Sequence, residues 1–145
     1  MKKLLITALL AIAVAAGAFA APTKVSSAIL ANFNAAFKKA DNVCWVITND
    51  YTKAAFTSDN TKIEVFYNYN GDVIGTSKSI ALDELPINAK RHFAKLFAGY
   101  NVKEAIRFEG CDETSYYISG ENEKESVIVK VNDHKQVSVF KRTKK

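Results

Sequence analysis

The sequence has little with which to do chemistry. Its 145 residues include only two histidines and two cysteines. His92 and His134 have no cysteine or carboxylate at a ligand spacing such as HExxH, so no metal site is read from them. Cys44 and Cys111 do not form a CxxC pair, which leaves redox catalysis without support. A GxSxG nucleophile elbow, a P-loop and a GxGxxG fingerprint are all missing. Asn68, Asn70 and Asp72 surround Gly71 in the manner of a calcium loop, but the twelve-residue length and the terminal Glu are absent, so the stretch reads as a plain turn. Enzymes need convergent acid, base or nucleophilic groups. None can be nominated here. The expectation is a non-enzyme without catalytic residues, cofactor or metal.

A second long apolar run is lacking too. Lys2 and Lys3 form a positive n-region, 4–16 is apolar, and Ala18-Phe19-Ala20 is a small-x-small cleavage site. The apolar run falls short of the ~20 residues that a membrane span needs. Residues 1–20 are therefore read as a signal peptide, cleaved after Ala20, of a periplasmic or secreted protein with no membrane span after cleavage. No Cys follows that site for lipid attachment. Without Lys2 and Lys3 the net charge falls from +5 to +3, much of it in Lys141-Arg142-Thr143-Lys144-Lys145, read as a solvated end. No motif supports nucleic-acid binding. An oxidising compartment permits a Cys44–Cys111 disulfide, but spacing does not decide between that bond and two free thiols.

What is present is alternation. Across 63–80 the chain reads as a strand, a turn and a strand. Ile63, Val65 and Tyr67 point one way, and Glu64, Phe66 and Asn68 the other. Asn70-Gly71 is a strong hairpin signal, because both residues tolerate positive φ. The plan returns at 127–142, where Val127, Val129 and Val131 stand in for Ile63, Val65 and Tyr67. Upstream, Val25, Ile29, Phe33 and Phe37 recur every fourth residue as one side of a helix, with Ser26 or Ser27 able to cap it. Strands are expected at 43–48 and 51–57. Pro86 suits the first turn of a second helix with Ala89, Phe93, Leu96 and Phe97 as its apolar stripe. Strands at 102–109 and 115–119 follow. The fold class expected is α+β, a tandem duplication of one helix plus a four-stranded antiparallel sheet, with repeats at 21–82 and 83–145.

These residues resemble a family of small exported proteins, PepSY-like and beta-lactamase-inhibitor-like. The match lies in the leader, the helix ending at Phe37 to Ala40, the Val43-Cys44-Trp45 strand start, Tyr51 and Phe56 in the second strand, Asn70-Gly71-Asp72, and Leu85-Pro86 opening the second helix. The second hairpin departs from the pattern, with His134-Lys135 where the first copy has Asn70-Gly71. The resemblance implies two tandem helix-plus-sheet units without catalysis, whose exposed sheet face or edge loops bind another protein, in some members a secreted enzyme. A shared fold does not carry a binding site with it, so beta-lactamase inhibition is not transferred.

The aromatics are the remaining lead. Trp45, Tyr51, Phe66, Tyr69, Tyr116 and Tyr117 exceed what the inner face of one small sheet needs. Phe66 lies opposite Ile63, Val65 and Tyr67, and one of Tyr116 and Tyr117 must point away from the core. Tyr51, Phe66, Tyr69 and Tyr117 are thus candidate protein contacts, as aromatic anchors on an outer sheet face. The partner expected is another periplasmic or secreted protein. The alternative function is a carrier holding a small apolar ligand between helix and sheet, in a cavity lined by Phe33, Phe93 or Trp45.

Overall fold

The computed structural model describes residues 24–132 and 136–145. The expected signal peptide and the tip of the last hairpin, including His134 and Lys135, lie outside these residues. The element order is α1 (Ser27–Ala36), β1 (Asp41–Ile47), β2 (Thr52–Ser58), β3 (Thr61–Tyr67), β4 (Val73–Ile80), α2 (Ile87–Leu96), β5 (Asn101–Gly110), β6 (Thr114–Glu121), β7 (Glu125–Val131) and β8 (Val137–Lys144). A single 3₁₀ turn, Leu82–Glu84, precedes α2.

The eight strands form one antiparallel sheet in the order β1 to β8. This overturns the expectation of two repeats with a four-stranded sheet each. The joint is the β4–β5 ladder, which runs from Gly75 opposite Gly110 to Ile80 opposite Ala105. Two separate sheets would leave β4 and β5 as unpaired edges. Pairing them satisfies both rows of backbone groups and removes two sites for unwanted association.

Register places both helices on the same face. Ala54, Val65 and Thr76 stand abreast across β2 to β4. Lys78 stands opposite Arg107, and that row continues through Tyr116 to Val131. On this face α1 packs Ile29 and Phe33 onto Ala54, Phe56, Val65 and Tyr67. Ser26 caps the helix, its hydroxyl accepting from the Ile29 N–H at 3.3 Å. Farther along, α2 packs Ala89, Phe93 and Phe97 onto Ala105, Ile118 and the valines of β7. Leu96, expected in the α2 stripe, is exposed, because the helix ends there and Phe97 turns inward instead. Between the two cores this face is polar, with Thr76, Lys78, Arg107 and Glu109 abreast on β4 and β5.

Turn chemistry differs from expectation at one hairpin. Asp59 and Asn60 both take positive φ and form the two-residue β2–β3 turn. In the β3–β4 loop only Gly71 is left-handed, at φ 90°. Gly71 N–H donates to the Asn68 carbonyl and Asn68 N–H to that of Asp72, which makes a three-residue loop rather than a two-residue one. Asn32 of α1 donates to the Gly71 carbonyl at 3.0 Å and ties helix to loop.

Candidate interaction surface

The second face of the sheet carries no helix, yet its centre is dry. Tyr51, Phe66, Ile106, Phe108 and Tyr117 cluster there, with Ile74, Ile128 and Phe140 against them. Phe66 is 0% exposed and Tyr117 2%. Ring edges meet ring faces: Tyr51–Phe66 centroids are 5.4 Å apart, Phe66–Phe108 6.1 Å and Tyr117–Phe140 5.5 Å. The Phe108 ring lies where a Cβ at Gly75 would be, 2.7 Å from its Cζ. This cluster joins Tyr51, just before β2, and residues of β3 and β4 to β5 through β8, so it welds the two halves of the sheet across the polar gap of the helix face.

Of the four aromatics nominated as contacts, the structure therefore places three in this cluster. Tyr51, Phe66 and Tyr117 do point away from the helices, but they are buried within this cluster, Tyr51 and Phe66 against each other and Tyr117 against Phe140. Tyr69 alone stays free, 72% exposed at the β3–β4 loop. Val73, where β4 begins, is 49% exposed beside it. The loop is held by Asn68, whose Oδ1 accepts from the N–H groups of Asn70 and Asp72, each at 2.9 Å. The β5–β6 turn adjoins, with the Cys111 Sγ 3.7 Å from the Ile74 carbonyl.

Polar groups surround the cluster. Lys53 Nζ meets Glu64 Oε1 at 2.9 Å, with side chains only 4% and 9% exposed. The same ammonium stands 5.9 Å from the Phe66 ring centre. Lys130 repeats the device, bonded to Glu113 at 2.9 Å and 6.0 Å from the Tyr117 ring. Ser79 Oγ donates to Glu104 Oε1 at 2.8 Å. Burial pushes the Glu64 carboxyl up, Lys53 pulls it back, and Glu104 raises it further. The Tyr117 phenol is pushed up chiefly by burial, and Tyr51 likewise, with Glu64 and Asp50 adding to it. Among the described residues, Glu64 Oε2 is a buried side-chain polar atom without a hydrogen-bond partner, while the buried Ser115 and Tyr117 hydroxyls act on each other, Ser115 lowering the Tyr117 pKa against the effect of burial. All three lie on this face, and charge patterning along the strands gives no signal of them.

The nominated disulfide is not formed. Cys44 and Cys111 are both free and exposed. They sit on β1 and just after β5, four strands apart in the sheet order. At ~4.8 Å per strand that is about 19 Å, against a Cα limit of ~7 Å for a bridge. Among the described residues no three His, Cys, Asp or Glu side chains gather as a metal site, and His92 is exposed on α2. No described helix is long and apolar enough to cross a membrane.

The space between α1 and the sheet is filled by rings: Phe33 lies 5.1 Å from both Trp45 and Phe56. Beside α2, Phe93 and Phe97 are 5.2 Å apart. Two shallow clefts of about 560 Å³ lie outside these layers. One is lined by Lys62, Ser79, Leu82, Val102 and Glu104, the other by Asn101, Glu121, Lys124 and Lys145.

No protein-family model matches the chain, and no curated protein does. Solved structures do. A protein provisionally described as periplasmic from Bacteroides eggerthii DSM 20697 superposes with a TM-score of 0.73 at 12% identity, over 84% of this chain and 90% of that one. A DUF2874 family protein from Bacteroides uniformis ATCC 8492 gives 0.70 at 13%, over 83% and 90%. A BLIP-like protein from Bacteroides fragilis NCTC 9343 gives 0.66 at 17%, over 85% and 88%. At such identities the likeness is one of fold. The beta-lactamase-inhibitor-like side of the resemblance thus has a structural counterpart, and these neighbours add nothing to the PepSY-like side.

Proposed function

We propose that the chain is a non-catalytic protein-binding module working outside the cytoplasm, in the periplasm or beyond the cell, in the role of an inhibitor or restraint on an exported enzyme. The leader-like residues 1–20 and the periplasmic description of one structural neighbour support the location. One observation carries the binding role. Tyr69 stands three-quarters exposed on a loop braced by its own side-chain bonds and by α1, next to exposed Val73. A large aromatic presented on a stiff loop loses little conformational freedom when it docks. The aromatics behind it already serve as core, so the loop rim rather than the sheet centre makes first contact.

The test is a photo-crosslinking amino acid at position 69, with a control at exposed Ala35 on α1. Incubated with extracytoplasmic extract of the source cells, the position-69 protein should give one discrete protein adduct that the control lacks. Identical adducts from both positions, or none from 69, would refute contact through this loop.

A further inference from the structure

Eight strands in chain order leave two edges, the outer sides of β1 and β8. An edge strand presents unpaired N–H and C=O groups and invites another strand unless something blunts it. β8 is blunted twice. It carries Lys141, Arg142 and Lys144, and its pairing with β7 slips between Lys141 and Val139. β1 lacks such protection. From Val43 to Ile47 it reads Val-Cys-Trp-Val-Ile, without charge, proline or glycine. Its one irregularity lies at the entry, between Asp41 and Cys44, and 44–47 pair evenly with 52–55. Thr48 N–H donates to the Tyr51 carbonyl at 2.9 Å. Antiparallel pairs alternate between bonded and non-bonded, so Val46 and Cys44 bond inward to β2, while the backbone groups of Trp45 and Ile47 point out from the sheet edge. The side chains are uncovered too. Val46 is 43% exposed, Cys44 is exposed, and Trp45 and Ile47 are only half-buried.

We propose that this edge receives β1 of a second copy of the chain, antiparallel about a two-fold axis at Val46. The register selects the occupant. Trp45 and Ile47 carry the outward backbone groups of the regular stretch, and about that axis each lies opposite the other, so both pairs exchange their N–H···O bonds. Val46 then stands opposite Val46 of the second copy in a non-bonded pair, where side chains come closest. Cys44 meets Thr48. Residues 44–48 hold no charge, so a chain of net charge +5 meets no like charge along the ladder. An axis normal to the sheet keeps the helices of both copies on one side, so Trp45 and Ile47 extend one apolar row and Val46 the row on the other face. A foreign strand would supply the same backbone bonds, but the copy is matched in every row. The arrangement also closes: both β1 edges are consumed and the two left are the blunted β8 edges, so pairing ends at a dimer rather than a filament. The ladder is short beside the ~20–30 residues a side of a stable interface, so the dimer dissociates on dilution.

The test is a thiol at the axis. With Cys44→Ser and Cys111→Ser, Val46→Cys brings the two new thiols together on Cα atoms ~4.5 Å apart, inside the range of a disulfide. Mild oxidation should give a covalent dimer as the main species on a non-reducing gel. Cys44 kept alone, by Cys111→Ser, should give little, because four residues of offset put the two Cys44 Cα atoms about 13 Å apart along the strands, beyond the ~7 Å limit. Val46→Lys sets two ammonium groups face to face instead. In analytical ultracentrifugation the parent's mean mass should climb toward two chains as concentration rises, and V46K should need at least about tenfold more protein for the same climb. Val46 is 43% exposed, so V46K keeps the fold, which an unchanged unfolding midpoint would verify. A parent that stays a monomer at every concentration, no dimer from Val46→Cys, or equal crosslinking through Cys44 would each overturn the assignment. Val46→Cys bonded in extracytoplasmic extract to a different protein rather than to its copy would do the same. Tyr69 lies on the β3–β4 loop, and its crosslink neither requires nor excludes this pairing.

Discussion

Lys53 and Glu64 are the sharpest place to perturb this fold. Their contact is 2.9 Å, and both side chains are more than nine-tenths buried. With an effective dielectric constant of ~20, two unit charges that close attract by on the order of 6 kcal/mol. Desolvation opposes this by several kcal/mol per ion, so the intact pair contributes little net stability. Breaking it is another matter. Lys53→Ala leaves the Glu64 carboxylate buried without a counter-charge and should cost about 3–5 kcal/mol at pH 7. The double variant Lys53→Met with Glu64→Leu keeps the volume and removes both charges, and should return to within ~1 kcal/mol of the parent or exceed it. Urea unfolding measures both; with m about 2 kcal/mol/M the single variant shifts the midpoint by about 2 M.

The pH dependence gives an independent check. Burial raises the folded-state pKa of Glu64 above its ordinary 4.5, so the folded chain holds that proton more tightly than the unfolded chain. Stability from this group is then complete below pH 4.5 and declines as pH rises through the raised folded value. Lys53→Ala removes the one group that lowers this pKa, so its penalty should be largest at neutral pH and shrink below pH 4.5. A penalty under ~1 kcal/mol at pH 7, or a double variant as unstable as the single, would refute this account of the face as a dry, charge-sensitive layer.

Two further outcomes are expected. The Phe93 ring of α2 presses on Gly120, where an added Cβ would stand 2.7 Å from its Cζ. Gly120→Ala should therefore cost about 1–3 kcal/mol, and in a Phe93→Leu background distinctly less; equal costs in both backgrounds, by thermal unfolding, would remove the clash as the cause. Both cysteines should react with a thiol reagent in the native protein, to two equivalents per chain. Fewer than two without reductant would contradict their freedom.

Local structure was legible because the strands advertise themselves. The period-two reading of 63–67 put Ile63, Val65 and Tyr67 on one face and Glu64 and Phe66 on the other, and the register across β2 to β4 agrees. Strands expected at 102–109 and 115–119 correspond to β5 and β6. The β4–β5 ladder was not legible. Its β4 partner reads Val-Ile-Gly-Thr-Ser-Lys-Ser-Ile, too polar to announce a central strand, and a helix intervenes before β5. One signal was available. Gly75 and Gly110 face each other with Phe108 beside them, and glycine inside a strand marks a place where another group comes close. The burial of Tyr51, Phe66 and Tyr117 escapes the sequence for a related reason: a residue opposite the helix-facing row is exposed only when a sheet has a single core.

Here the sheet has buried layers on both faces, and that decides what the second face can do. On the helix side the two cores are separated by Lys78, Arg107 and their neighbours, and β4 meets the α2 core through Ile80 at its end, opposite Ala105. The aromatic cluster on the other face spans that gap, reaching from Tyr51 to Phe140. A side chain committed to that weld cannot also serve as a docking anchor without loosening the sheet. What remains for recognition is the rim beyond the weld, where Tyr69 projects. Affinity through such a rim would come from burying one loop aromatic. Raising the salt concentration should therefore leave the Tyr69 crosslink yield nearly unchanged, since screening acts on exposed charges and leaves apolar burial untouched; a steep loss of yield with salt would refute apolar contact there.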